Sequence, residues 1–414
     1  MHDVELPKMK PIRIALVVLL AFTASMNAQN PASFQIDLPG APFGVVVSPD
    51  QQWVFVSLTG GGARQGPGIA VLRNDHGHVE LVRTVAMDSS PTGIVLTHNG
   101  DMLIAAANDS VVFFDTQRLE TGASDAAFQR VSDGDNAESI YVNVTADDKT
   151  LFVSDEAAER ITVMDLEKIR SLGRDSATNL KRVNNPEGAS AAIIGRIPVG
   201  VAPIALTFSK DQRWLFTTSQ IAPADWGWLS VLEPEGINPG QGKVPEGAVI
   251  VIDVAKAKTN PADSVIARVP AGGSPVRLAL SPDGSHLFVS ARNSNAALVF
   301  DTAVLIKDPK HAKPTRIPVG SSPVPIVVVA DGKFILVGNS DRFSPNATTS
   351  STLSVLDTSL LGSGRNPNVG KIPCGAFPRE FQLSGDGQTL YLTNFRSRTL
   401  QVIDVSRLMK IVDK

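Results

Sequence analysis

The residues able to do chemistry in this 414-residue chain are few. There are six histidines and a single cysteine, Cys374. None stands in a spacing that assembles a catalytic set: no HExxH zinc pair, no CxxCH haem attachment and no GxSxG nucleophile elbow is present. His76 and His78 share one short turn (DHGH), and a lone thiol in an apolar strand reads as buried and inert. What remains are polar and aromatic clusters. Tyr141, Arg277 and Glu380 fall at one aligned position of a repeated phrase, two residues after an anchor residue that is usually proline. Gly44, Gly93, Ala205 and Pro325 fill the same position elsewhere, and Arg379 adds a charge beside Glu380. Charges set among small residues can fix a small anionic or polar ligand. With Tyr141 they can also form a site for hydrolysing a small cyclic ester, or Arg277 and Glu380 can simply pair. Trp226 and Trp228, beside Asp225 in a Gly- and Pro-rich loop, can stack on a sugar or a partner surface, or pin their own loop. Arg64, Arg342 and Phe343 lie on two other long loops and have the same standing.

Carboxylates give two further patterns. Asp133, Asp135 and Glu138 (DGDNAE), with Asp155 and Glu156 nearby, offer the oxygens a hard cation takes, but the closing Glu of an EF-hand is missing. Solvated acidic turns are the simpler reading, and no metal is assigned. Asp115, Asp165, Asp253, Asp301, Asp357 and Asp404 recur once per repeat. Recurrence with the fold marks them as caps of short helical turns such as TQRL, LEKI and VSRL. No catalytic residue is assigned, and no cofactor is expected.

The elements that position these residues are repeats. IPVG occurs at Ile197–Gly200 and Ile317–Gly320, IPCG at Ile372–Gly375 and VPAG at Val269–Gly272, each followed two residues later by proline. Then come a turn such as SPDG (Ser281–Gly284), a strand such as LFVS (Leu287–Ser290), and a strand ending on Asp such as ALVFD (Ala297–Asp301). The seven anchors are Pro42, Pro91, Ser139, Pro203, Pro275, Pro323 and Pro378, a base period of about 48 residues with insertions in three copies. Each copy holds four strand-length apolar runs, in the fifth Val276–Ser281, His286–Ala291, Ala297–Asp301 and Thr315–Val319. The fold class is therefore all-β: a seven-bladed β-propeller with four antiparallel strands per blade. Ser33–Leu38 has no blade ahead of it, and the last copy lacks its fourth strand. The N-terminal strand is expected to pair with Thr399–Asp404 and close the ring, which removes a free edge. The long second-to-third-strand loops then gather on one rim, the expected binding face.

Units of the form IPVGxxPxxxxxSPDGxxLFVSxxxxxxLxVxD, with YLTN at Tyr391–Asn394, resemble the YVTN family of β-propeller repeat proteins over about residues 33–408. The resemblance implies a surface-layer or periplasmic propeller, with lactonase-type and redox-enzyme propellers more distant. It brings no catalytic motif, because its residues are turn and packing residues. Arg73 in place of the strand-ending Asp, and Ser139 in place of the proline, depart from the pattern.

Residues 1–28 read as an export signal. Lys8, Lys10 and Arg13 precede the apolar run Ile14–Phe22 and the small-residue stretch TASMNAQ, with cleavage expected after Ala28. Nine apolar residues rise about 13 Å as a helix, too short for a roughly 30 Å bilayer core, so no stable membrane span is expected. Residues 29–414 form a single propeller domain. A net charge of −3 excludes a dedicated nucleic-acid binder. The reading is an exported, monomeric binding scaffold, periplasmic or secreted, that presents one rim to a protein or carbohydrate. A lactonase-like hydrolase acting at the axial mouth is the alternative.

Overall fold

In the computed structural model, residues 33–60, 66–173, 190–232, 243–343 and 350–407 are described. Seven four-stranded antiparallel sheets follow one another along the chain. The first is Ala41–Val47, Trp53–Thr59, Gly68–Asp75 and His78–Ala86; the fifth is Pro275–Leu280, His286–Ala291, Ala296–Asp301 and Thr315–Pro318. The first strands of successive sheets touch in cyclic order, and the first strand of blade seven (Pro378–Leu383) touches that of blade one. This is a closed seven-bladed β-propeller. Ser33–Asp37 supplies the fourth strand of blade seven, with Ser33 opposite Ile403 and Asp37 opposite Thr399. Leu38 ends the pairing and packs instead into the core beside Leu400 and Val402.

Strand alternation explains the core. Successive side chains point to opposite faces of a blade, so each blade feeds two cores. Leu287 packs toward blade four, whereas Phe288 packs toward blade six. The apolar clusters accordingly lie between neighbouring blades, blade one packing on blade seven through Val54, Val56, Tyr391 and Val402.

A recurring hydroxyl stitches these interfaces. The serine or threonine ending the LFVS run donates to the carbonyl just past the next blade's anchor. Ser57 donates to Thr92, Ser154 to Ile204 (2.8 Å), Ser290 to Val324 (2.7 Å) and Thr393 to Phe43 (2.9 Å). Near the axis the inner strands crowd. A Cβ on Gly93 would lie 2.6 Å from the Ile140 carbonyl oxygen and 2.8 Å from Tyr141 Cα, and Gly44, Gly93 and Ala205 keep this position small in three blades.

The strand-ending aspartates act as caps. Asp115, Asp165, Asp253 and Asp301 accept from the third backbone N–H beyond them and open short helices. No helix among the described residues is long and apolar enough to cross a membrane.

Candidate functional site

Three second strands end at equivalent places, LFVSDE, LFTTSQ and LFVSAR, and so bring Glu156, Gln220 and Arg292 to the axial mouth. Arg277 arrives from the first strand of blade five, Arg379 from that of blade seven, and Arg342 from the loop after the second strand of blade six. Together these six side chains line a cavity of about 260 Å³, with Ile204, Val276 and Val324.

Two polar chains organise it. Gln220 Nε2 donates to Glu156 Oε1 (3.0 Å), and Arg292 Nη2 donates to Gln220 Oε1 (2.7 Å). Arg277 Nε donates to Glu380 Oε2 (3.0 Å), and its Nη1 to the Val276 carbonyl (3.0 Å). Aromatic rings back the guanidiniums: Arg277 lies 4.2 Å from the Tyr141 ring centroid and Arg379 4.1 Å from that of Phe43. The two rings are 6.1 Å apart and neither lines the cavity. At the lip, Arg292 and Arg342 flank Phe343 at 5.9 and 5.1 Å.

The electrostatics are unbalanced toward positive charge. Four guanidiniums meet two carboxylates, Glu156 and Glu380. Burial, then repulsion from Arg277, Arg342 and Arg292, holds Arg379 well below the ordinary guanidinium range. Burial brings Arg277 down to about 9 and Arg292 to about 10. Guanidiniums start so high that all four remain cations at neutral pH. Their depressed values express an unfavourable interaction that a bound anion relieves. Burial also pushes the Glu380 carboxyl well above its usual range, against a hydrogen bond from the Phe381 backbone N–H. Arg277 is only 4% exposed, yet its Nη2 has no hydrogen-bond partner among the described residues; Arg292 Nε, Arg379 Nε and the Tyr141 hydroxyl are in the same state.

Of the residues singled out in the sequence, Tyr141, Arg277, Arg379, Glu380, Arg342 and Phe343 converge here. Arg64 lies outside the described residues. Trp226 and Trp228 lie elsewhere, edge to face at 5.1 Å, and both pack partly buried on the core between blades three and four. Trp226 also carries Arg268 over its ring at 5.2 Å, so these rings hold their loop down. Beside them Asp225 is exposed and Leu229 is 86% exposed. In the acidic run, Asp133 and Asp155 are buried together, whereas Asp135 and Glu138 face solvent. Cys374 is buried, and burial pushes its thiol up to about 12.

No family model matches the chain. Among solved structures, it is similar to a chain of Kuenenia stuttgartiensis hydrazine synthase, with a TM-score of 0.60 at 18% identity over 90% of this chain and 97% of that one. The likeness carries the propeller fold alone.

Sequence reading missed Gln220, Arg292 and Phe43, and set Glu156 only among the oxygens a cation could take. A signal exists for three of them: the position two residues past the LFVS serine, which reads Thr59, Asn108, Glu156, Gln220, Arg292, Ser340 and Phe395 around the ring. Its long polar side chains, Glu156, Gln220 and Arg292, fall in consecutive blades three, four and five.

Proposed function

We propose that this chain is an exported propeller of the YVTN repeat kind whose axial mouth binds a small organic anion. The observation that carries the reading is the buried, unpartnered Nη2 of Arg277 in a cavity where four guanidiniums face one lining carboxylate, Glu156, with Glu380 paired to Arg277 behind it. Buried donors without acceptors are costly, and a carboxylate or phosphate satisfies several at once. Export rests on the N-terminal segment; a mature chain starting at Gln29 in the secreted fraction supports it, and an unprocessed cytosolic chain counts against it.

The test is ligand-linked stability. Inorganic phosphate or malonate at 100 times its Kd should stabilise the protein by about 2.7 kcal/mol, with a matching rise in Tm. Arg379→Gln should abolish that rise while leaving the fold intact. Equal shifts in the variant would overturn the site.

Hydrolysis of a cyclic ester is a second reading, favoured by one observation: Arg277, Glu380 and Tyr141 do meet, through a 3.0 Å ion pair and a 4.2 Å ring contact. Here Glu156, the carboxylate lining the cavity, would activate water while the arginines stabilise the oxyanion. Turnover across a lactone panel that survives Glu156→Gln sinks this version. Presentation of the rim to a protein or carbohydrate draws less support, since Trp226 and Trp228 are spent on packing.

A further inference from the structure

We infer that the anion taken by this mouth is an aryl dianion, with a doubly charged head in the arginine cavity and a flat aromatic body lying across the lip. The inference rests on the anion-binding reading and deepens it. The head follows from charge. Arg277, Arg292, Arg342 and Arg379 outnumber Glu156 and Glu380 by two, and a dianion restores balance without leaving Arg277 Nη2 unsatisfied. A volume of about 260 Å³ admits a phosphoryl group or a pair of carboxylates while leaving the body to extend outward.

The body follows from the lip. Phe343 is 46% exposed, one of few large apolar side chains so open, and it stands between two cavity-lining guanidiniums. Next to it, Phe377 supports Arg342 at 5.3 Å, Arg379 at 5.7 Å and Arg396 at 5.9 Å, with Phe395 5.4 Å away. Phe377 is only 8% exposed and supports these guanidiniums from within, so the open face is Phe343 with the guanidinium planes beside it, which a flat aryl ring matches and a flexible aliphatic chain does not. Phe377 itself points to function. The residue before the anchor proline takes a left-handed backbone in blades four to seven, at Ala202 (φ 54°), Ser274 (51°), Ser322 (51°) and Phe377 (57°). Three of these are small. The fourth is a bulky aromatic in a conformation that disfavours it, the kind of strain that persists where a side chain is needed in place.

Isothermal titration of the full propeller against paired probes tests the idea. Phenyl phosphate against inorganic phosphate, and phthalate against succinate, separate the body's contribution from the head's and distinguish a phosphoryl from a dicarboxylate head. At least one aryl probe should bind about tenfold more tightly than its bare partner. Phe343→Ala should remove that advantage, lowering the affinity for the aryl probe more than that for the bare anion; Phe343→Leu, equally apolar but not flat, should recover little of it. If bare anions bind but aryl partners gain nothing, or Phe343→Ala weakens both equally, the aryl body is wrong and the anion site stands. If no probe binds and Arg379→Gln changes nothing, both fall.

Discussion

At the scale of single residues, Arg277 and Glu380 are conspicuous because their aligned positions elsewhere hold Gly44, Gly93, Ala205 and Pro325. An ion pair in so crowded an interior is a weak stabiliser against apolar neighbours, but losing one member strands the other. Glu380→Gln should therefore lower stability by about 3–5 kcal/mol. It should also free Arg277 for ligand, so added phosphate should raise the variant's Tm by more than the wild type's. Thermal unfolding with and without phosphate reads both; an equal phosphate response would mean that Arg277 does not face the bound anion. This pair was legible as an anomaly in a column of small residues. Glu156, Gln220 and Arg292 were not, because their column lies at a hairpin end, where polar residues are ordinary. Only the curvature of the ring turns three such ends toward one cavity.

At the scale of elements, the most degenerate repeat has a chemical reason. Ser139 stands where other blades have proline, and its Oγ lies 3.1 Å from both Asp133 Oδ2 and Asp155 Oδ1. A hydroxyl carries one proton, so it cannot donate to both carboxylates at once, and the crowding favours a proton held on Asp155. Burial, then Asp133, pushes Asp155 up to about 8, against hydrogen bonds from Thr162 and Arg160. A proline at 139 would remove this bridge. The repeat was readable from Leu151–Asp155 and Ile161–Asp165 alone, whereas the buried pair was not, because DGDNAE looks like any solvated acidic turn. The sign of the linkage follows. Asp155 keeps its proton in the fold but loses it in the unfolded chain near the ordinary carboxylate value of 3.8. The unfolded state therefore binds fewer protons between about pH 4 and 8, and stability falls as pH rises through that window. Asp155→Asn, a mimic of the protonated acid, should flatten the Tm profile between pH 5 and 8 and raise Tm at the upper end. An unchanged slope would place the titration elsewhere.

At the scale of the whole molecule, stability depends on one strand from the far end of the chain. Each blade interface holds its own apolar cluster, so a ring with a gap loses the packing of blade seven on blade one and exposes the edge of Thr399–Asp404. The closing strand is held by more than its ladder. Thr399 Oγ1 donates to Gln35 Oε1 (2.9 Å), Gln401 Nε2 to Ser33 Oγ (3.3 Å), and the Leu38 N–H to the Arg398 carbonyl (2.8 Å). Deleting Ala32–Pro39 should thus abolish the single cooperative melt. A gain-of-stability variant keeps the idea testable if the truncated chain fails to fold. Gln35 and Gln401 are directly opposed in the ladder, a separation of about 4.5–5.5 Å between Cα atoms that suits a disulfide. Gln35→Cys with Gln401→Cys would close nearly the whole chain into one loop, where the entropic gain approaches its ceiling of about 5 kcal/mol. Buried Cys374 should stay out of the exchange. An oxidised double variant melting several degrees above its reduced form is the expected result. A cross-link that forms but leaves the melt unmoved would show that closure of blade seven does not limit unfolding.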